Sequence, residues 1–327
     1  MAYKRLQNTL AESRLTLPFS VAVILAVIYF CGGITHRLWM QVICLGISAY
    51  LMVELSNTHQ LIRVYGMMIP SMFLLLVGVC PTLIPDLGSC IMFLCSIAIY
   101  VMLFRSYQVR RSQGYVFYGF FCLGISSLIY VKTLYYVPIL LYLVYYHLRT
   151  MSTKTFCASL LGICTPYWFA IGYYMYAYDF SYIISHFKGL GTFEPVLDHA
   201  NITEHEVLSF GWILLLAMTG TVHYLRQGYH DKIRTRMYYG IFIIIDIVTF
   251  VFLALQPQQY HLLMPVIIVN TTPLIAHYLS LTNTLLTNIT FQLIILLTLL
   301  IIFYNIWMPS STFLSAMVTS ACSYLPL

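Results

Sequence analysis

The chain has 327 residues, 61% of them hydrophobic and only 8% charged, where a soluble globular domain carries about 25% Asp, Glu, Lys and Arg. Sixteen basic and ten acidic side chains cannot supply the polar surface of a soluble fold, a disordered chain, a nucleic-acid-binding module or a secreted disulfide scaffold. The formal charge of +6 therefore reports loop bias and contact with anionic lipid headgroups, with no nucleic-acid partner implied.

In chain order, apolar runs cover residues 17–34, 39–53, 65–84, 88–104, 115–131, 134–148, 155–178, 208–225, 238–256, 260–281 and 289–308. A membrane crossing needs about 20 apolar residues, and only a helix satisfies its own backbone polar groups within one such segment. The run from Phe291 to Tyr304 lacks the alternation of a membrane β-barrel. The pattern predicts an all-α polytopic transmembrane helix bundle of about eleven spans, forming one integral membrane domain over residues 1–327. Residues 1–16 are expected as a cytoplasmic interfacial segment, 179–207 as a long outer loop and 309–327 as an outer C-terminal tail. With the N-terminus cytoplasmic, all Lys and Arg except Arg37, Lys132 and Lys188 fall on the inner side, as the positive-inside bias requires.

Within the spans, Pro265 and Pro273 flank Asn270, Thr271 and Thr272, which predicts a broken or kinked helix over 260–281. Gly119, Gly124, Gly162 and Gly172, with Ser126 and Ser127, predict points of close helix approach. The cysteines lie in or beside apolar runs without a C-x-x-C spacing, so they read as small buried hydrophobes. Cys80 and Cys90, flanking one short turn, are the pair placed for a disulfide. No metal site and no cofactor is expected.

Three places carry candidate chemistry. Asp246 stands alone among Ile243, Ile244, Ile245 and Ile247, where an ionisable group costs at least a few kcal/mol and needs a reason. The reason is either function or a structural hydrogen bond from a neighbouring helix. Between the second and third runs, Glu54, Asn57, His59 and Arg63 fall within ten residues. Continuation of the preceding helix would put Glu54, Asn57 and Leu61 on one face, and Arg63 could fork onto a lipid phosphate; the alternative is a solvated loop with an anchoring arginine. The segment from Asp179 to Val207 reads as an amphipathic interfacial helix over Asp179 to Lys188 leading into a glycine turn, and it holds Asp179, His186, Glu194 and Asp198, groups suited to acid–base work or divalent-ion binding or simply to an ordinary solvated loop. Trp168, with the tyrosines that follow it, forms an expected outer aromatic platform, and Asn270 is the polar centre of its span.

The stretches Val53 to Asn57, Leu61 to Arg63 with Met67 and Met68, Gly114 to Leu128, and Gly162 to Trp168 resemble an uncharacterised family of polytopic Bacteroidetes inner-membrane proteins. That resemblance implies a multi-pass protein of the bacterial cytoplasmic (inner) membrane, and no chemistry. More loosely, the arrangement is similar to polyprenyl-phosphate-sugar glycosyltransferases, but residues 35–38 lack the acid that those enzymes place in their first outer loop. Three functions follow. The first is an assembly or scaffold component of the cell envelope, with a membrane-protein partner. The second is a lipid-linked glycan transferase or polymerase, with a polyprenyl-phosphate ligand and the outer loop as its site. The third is a small-molecule carrier with a polar passage through Asp246, Asn270, Thr271 and His277. Membrane lipids are partners in all three.

Overall fold

The computed structural model describes residues 13, 15–32, 38–63, 66–109, 111–176, 181–192, 202–282 and 285–308, and its regular elements are helices. They are α1 (Thr16–Phe30), α2 (Trp39–His59), α3 (Met68–Val79), α4 (Leu87–Arg105), α5 (Gln113–Ile129), α6 (Tyr136–Tyr146), α7 (Thr153–Tyr176), α8 (Ser181–Gly191), α9 (Glu204–Gln227), α10 (Ile233–Leu255), α11 (Tyr260–Leu281) and α12 (Leu285–Trp307). Each of the eleven apolar runs forms a helix, and α8 arises from the 179–207 segment.

Seven helices, α2, α4, α7, α9, α10, α11 and α12, are long and apolar enough to cross a membrane. The other apolar helices, α1, α3, α5 and the stretch Val131–Tyr146 that contains α6, are shorter. In α3 the shortness has a packing reason. Its 12 residues span about 18 Å, and all of them are buried, so the helix is enclosed by protein and has no lipid-facing side.

The core is built around α11 and α3. Helix α11 packs on α3, α4, α9 and α10, while α3 also packs on α1, α2 and α12. Helices α5 and α7 form a tight pair that reaches the centre through α4. Because lipid offers no hydrophobic drive for helices to associate, shape and interhelical hydrogen bonds must hold them. The Val79 carbonyl, at the end of α3, accepts from Ser209 Oγ on α9 at 3.0 Å and from Asn305 Nδ2 on α12 at 2.7 Å. Tyr100 on α4 donates to Asn270 Oδ1 on α11 at 2.5 Å.

Helix α11 is continuous through Pro265 and Pro273, which corrects the expectation of a break. Pro265 has no N–H, so the carbonyl of His261 loses its helical donor. Ser89 Oγ on α4 lies 2.6 Å from that carbonyl and 2.6 Å from Asp86 Oδ2, so its one proton is shared between the two acceptors. Cys80 and Cys90, the one pair placed for a bridge, are free and buried, with the Cys90 thiol directed at the carbonyl of Ile84 and Cys80 Sγ accepting from the Tyr260 hydroxyl. The 179–207 segment contains a helix near its start, where the run from Asp179 to Lys188 predicts one. Residues 181–191 form α8, and α9 begins at Glu204 behind a capping box in which Thr203 Oγ1 accepts from the Glu206 amide and Glu206 Oε2 from the Thr203 amide.

The small residues separate into two kinds. A Cβ on Gly162 would stand 2.5 Å from the Phe117 carbonyl oxygen, and one on Gly124 2.9 Å from the Ile163 oxygen, so the α5–α7 approach requires both glycines. Around Gly172 nothing lies within 4 Å, so it takes no part in that contact. Gly162→Ala is accordingly expected to destabilise by about 1–3 kcal/mol, whereas Gly172→Ala leaves thermal melting of the purified protein unchanged or slightly raised, through helix propensity.

Candidate functional site

Helix α2 ends at Gln60, whose backbone is left-handed at φ 47°. The reversal stops the helix before Leu61, so Glu54, Asn57 and Leu61 do not share one helical face as the sequence suggested. Leu61 turns into the core, 1% exposed, and the chain brings Arg63 back across the end of the bundle. There Arg63 Nε donates to Asp231 Oδ1 at 2.6 Å, and His277 Nε2 lies 2.9 Å from Asp231 Oδ2. An ionised carboxylate only accepts, so Nε2 carries the shared proton. Asp231 thus joins the segment after α2, the α9–α10 connection and the last third of α11.

The side chains of Asp231 and His277 are 2% and 1% exposed, while that of Arg63 is 48% exposed. Burial pushes the Asp231 carboxyl up, but hydrogen bonds from His277 and Arg63 outweigh it and hold the group below its ordinary 3.8. Beneath this pair, His277 packs edge-on against Tyr224 and Tyr239, with ring centres 5.1 and 5.2 Å away, and 5.5 Å from His223. Beside it, Arg234 reaches His59 Nδ1 at 3.2 Å and Tyr238 at 2.5 Å.

Above Asp231 lies a cavity of about 650 Å³. Its walls include Ser56, Asn57, Gln60, Arg63, Asp231, Lys232 and Thr235, and Lys232 Nζ donates to Gln60 Oε1 at 3.0 Å. At the opposite end of α4, α9 and α11 a second polar group gathers. Asp86 caps α4 through the amides of Gly88 and Ser89, and His261 Nε2 lies 3.5 Å from Glu206. The residues assigned above to the inner and outer sides are therefore physically separated.

Of the residues singled out from sequence, Asn57 and Arg63 line the cavity. Glu54 does not; it binds Arg105 at 2.9 Å and Thr58 at 2.8 Å. Asp246 is buried between α10 and α11, where the Thr271 hydroxyl donates to it at 3.2 Å. Asn270 bonds Val266 O and Tyr100, so the passage expected through Asp246, Asn270, Thr271 and His277 divides into separate pairs. Trp168 is 78% exposed on the outside of α7. His186 Nε2 lies 3.0 Å from Ser127 O, which docks α8 on α5. Asp179, Glu194 and Asp198 lie outside the described residues. Among the described residues no group of His, Cys, Asp and Glu is placed to hold a metal ion.

Sequence reasoning missed Lys232, Thr235, Ser56 and the partnership of Asp231 with His277. One signal was present: Asp231 is the sole acid in the otherwise basic stretch from Arg226 to Arg236. Comparison with protein-family models, curated proteins and solved structures returns no match.

The sign of the Asp231 contribution follows from its lowered pKa. Its stabilisation is fully present above the ordinary carboxylate value and is lost as the pH falls through the folded value. Asp231→Asn is expected to cost about 1.5–3 kcal/mol at neutral pH. Below pH 3.8 the melting temperatures of wild type and variant should converge, and their difference as a function of pH isolates Asp231 from Asp86.

Proposed function

We propose that the chain is a multi-pass protein of the bacterial inner membrane, with eleven spans and a cytoplasmic N-terminus, that acts through a polar ligand bound at its cytoplasmic end. The observation that carries this is the cavity of about 650 Å³ walled by Arg63, Asp231 and Thr235. Ligand pockets fall at about 300–1,000 Å³ and place a few polar groups precisely. Here Arg63 is fixed by an acid that is itself fixed by buried His277. A scaffold that works only through its outer faces has no use for that arrangement.

The inner assignment rests on the separation of charge: Arg63, Arg105, Lys232 and Arg234 meet at the cavity end, while Asp86 and Glu206 stand at the other. The four shorter helices cross as part of the bundle; α3, enclosed by protein over its whole length, needs no match to the lipid thickness, and the others reach it by local thinning of the bilayer. A role in the cell envelope agrees with the resemblance to Bacteroidetes inner-membrane proteins. The lipid-linked glycan reading has its own support in an apolar groove of about 240 Å³ between α6 and α10, lined by Tyr135, Tyr136, Ile139, Val248 and Phe252, a surface suited to a prenyl chain.

Thermal melting of the purified full-length protein against a panel of polar metabolites and lipid headgroups tests the ligand reading. A ligand present well above its Kd raises the melting temperature by mass action, and Thr235→Trp, which fills the cavity, should abolish that rise. A panel without any rise, or a rise indifferent to Thr235→Trp, contradicts the proposal. In a background cleared of native cysteines, an impermeant maleimide should label Leu87→Cys in intact spheroplasts and Tyr229→Cys only after permeabilisation; the reverse pattern overturns the orientation.

A further inference from the structure

We infer that the cavity is a phosphate site, in which a phosphoryl group sits at the N-terminus of α10 between Arg63 and Lys232; this rests on the ligand reading above and names its chemistry. Four observations converge on it. The first is the state of Arg63. Among the described residues only its Nε has a partner, Asp231, so the two terminal nitrogens of a half-exposed guanidinium remain for a ligand. A guanidinium presents its donors in a planar fork that matches two oxygens of a phosphate.

The second is the start of α10. Its N-cap residue is Lys232, which makes no side-chain cap, so among the described residues no N-cap oxygen accepts from the first amides of the helix. Uncapped amides and the positive end of a helix dipole favour an anion. Lys232 spends one of its three donors on Gln60 and keeps two.

The third is independent of charge. Ser56 and Thr235 are 8% and 5% exposed, both line the cavity, and neither hydroxyl has a hydrogen-bond partner among the described residues. Neither oxygen is sealed from the cavity, since neither is among the fully enclosed unpartnered atoms. Hydroxyls held inside a protein wall without partners are donors awaiting an acceptor.

The fourth concerns repulsion. Asp231 is the one acid in the wall, and both of its oxygens are occupied, by Arg63 and His277. Glu54 is turned away and paired with Arg105. The guanidinium fork, the ammonium, the helix amides and two hydroxyls exceed what the two oxygens of a carboxylate could accept, and suit the three or four oxygens of a phosphate. Because the site lies at one end of the bundle, the phosphate can belong to a lipid headgroup or to a soluble molecule.

The test uses full-length protein in phosphatidylcholine nanodiscs doped with phosphatidic acid, with bound lipid read by native mass spectrometry and inorganic phosphate added as the soluble probe. Phosphatidic acid should be retained, and Arg63→Gln and Lys232→Gln should each weaken retention about tenfold. Thr235→Val should weaken it by a smaller factor, and Arg149→Gln, outside the cavity, should leave it unchanged. Retention that inorganic phosphate does not displace assigns the site to a membrane headgroup. Displacement, or binding of inorganic phosphate with the same pattern of variants, assigns it to a soluble phosphate.

Arg63→Gln unpairs Asp231 and can impair folding; Lys232→Gln and Thr235→Val leave that pair intact and keep the test decisive. Binding of either probe that survives all three substitutions, or no binding of either, overturns the phosphate assignment. The cavity as a ligand site would still stand if a non-phosphate compound raised the melting temperature in a manner sensitive to Thr235→Trp, so the two failures are distinguishable.

Discussion

Asp231 holds together parts of the chain that are far apart in sequence, accepting from Arg63 after α2 and from His277 within α11 while itself lying between α9 and α10. In a protein this poor in charge, a buried carboxylate has few ways to be satisfied, because removing it from water costs several kcal/mol unless it is paired and hydrogen-bonded. Each of its two oxygens meets one donor, so its position fixes both partners. The cavity follows from this: Arg63 is drawn across the end of the bundle, and the left-handed turn at Gln60 is what lets the chain return there.

The same constraint explains the interior away from the site. Several polar side chains of the spans pair with one another or with a carbonyl that helix geometry leaves open. Ser89 shares its proton between Asp86 and the carbonyl freed by Pro265, Ser209 and Asn305 serve the end of α3, and Thr271 serves Asp246. These bonds stand in for the hydrophobic drive that lipid removes. They also confine Asp246 to a structural environment, whereas the charged groups with room beside them collect at one end.

Much of the fold was legible in the sequence. The apolar runs all became helices, since composition alone forbids another way to satisfy backbone in lipid. Their lengths were less legible: whether a run such as that around α3 faces lipid or protein depends on neighbours, and a uniformly apolar helix has no stripe to show it. The continuity of α11 was hidden because Ser89, whose proton the freed carbonyl shares, lies 172 residues away. At the site, Asn57 and Arg63 were visible as a local polar cluster. The pairing of His277 with Asp231 was not, because a separation of 46 residues leaves no spacing signal. Thr235 and Ser56 look like any helical hydroxyls until the cavity places them on one wall.

A double-mutant cycle on Arg63 and Asp231, using Arg63→Gln, Asp231→Asn and the pair, tests most directly whether this contact organises the end of the bundle. Measured as unfolding free energy in one detergent at neutral pH, the cycle should show a coupling of at least about 1 kcal/mol, with the second substitution costing much less once the first is present. Additive losses would mean that the two side chains act independently, and would contradict the account of a cavity held in shape by Asp231.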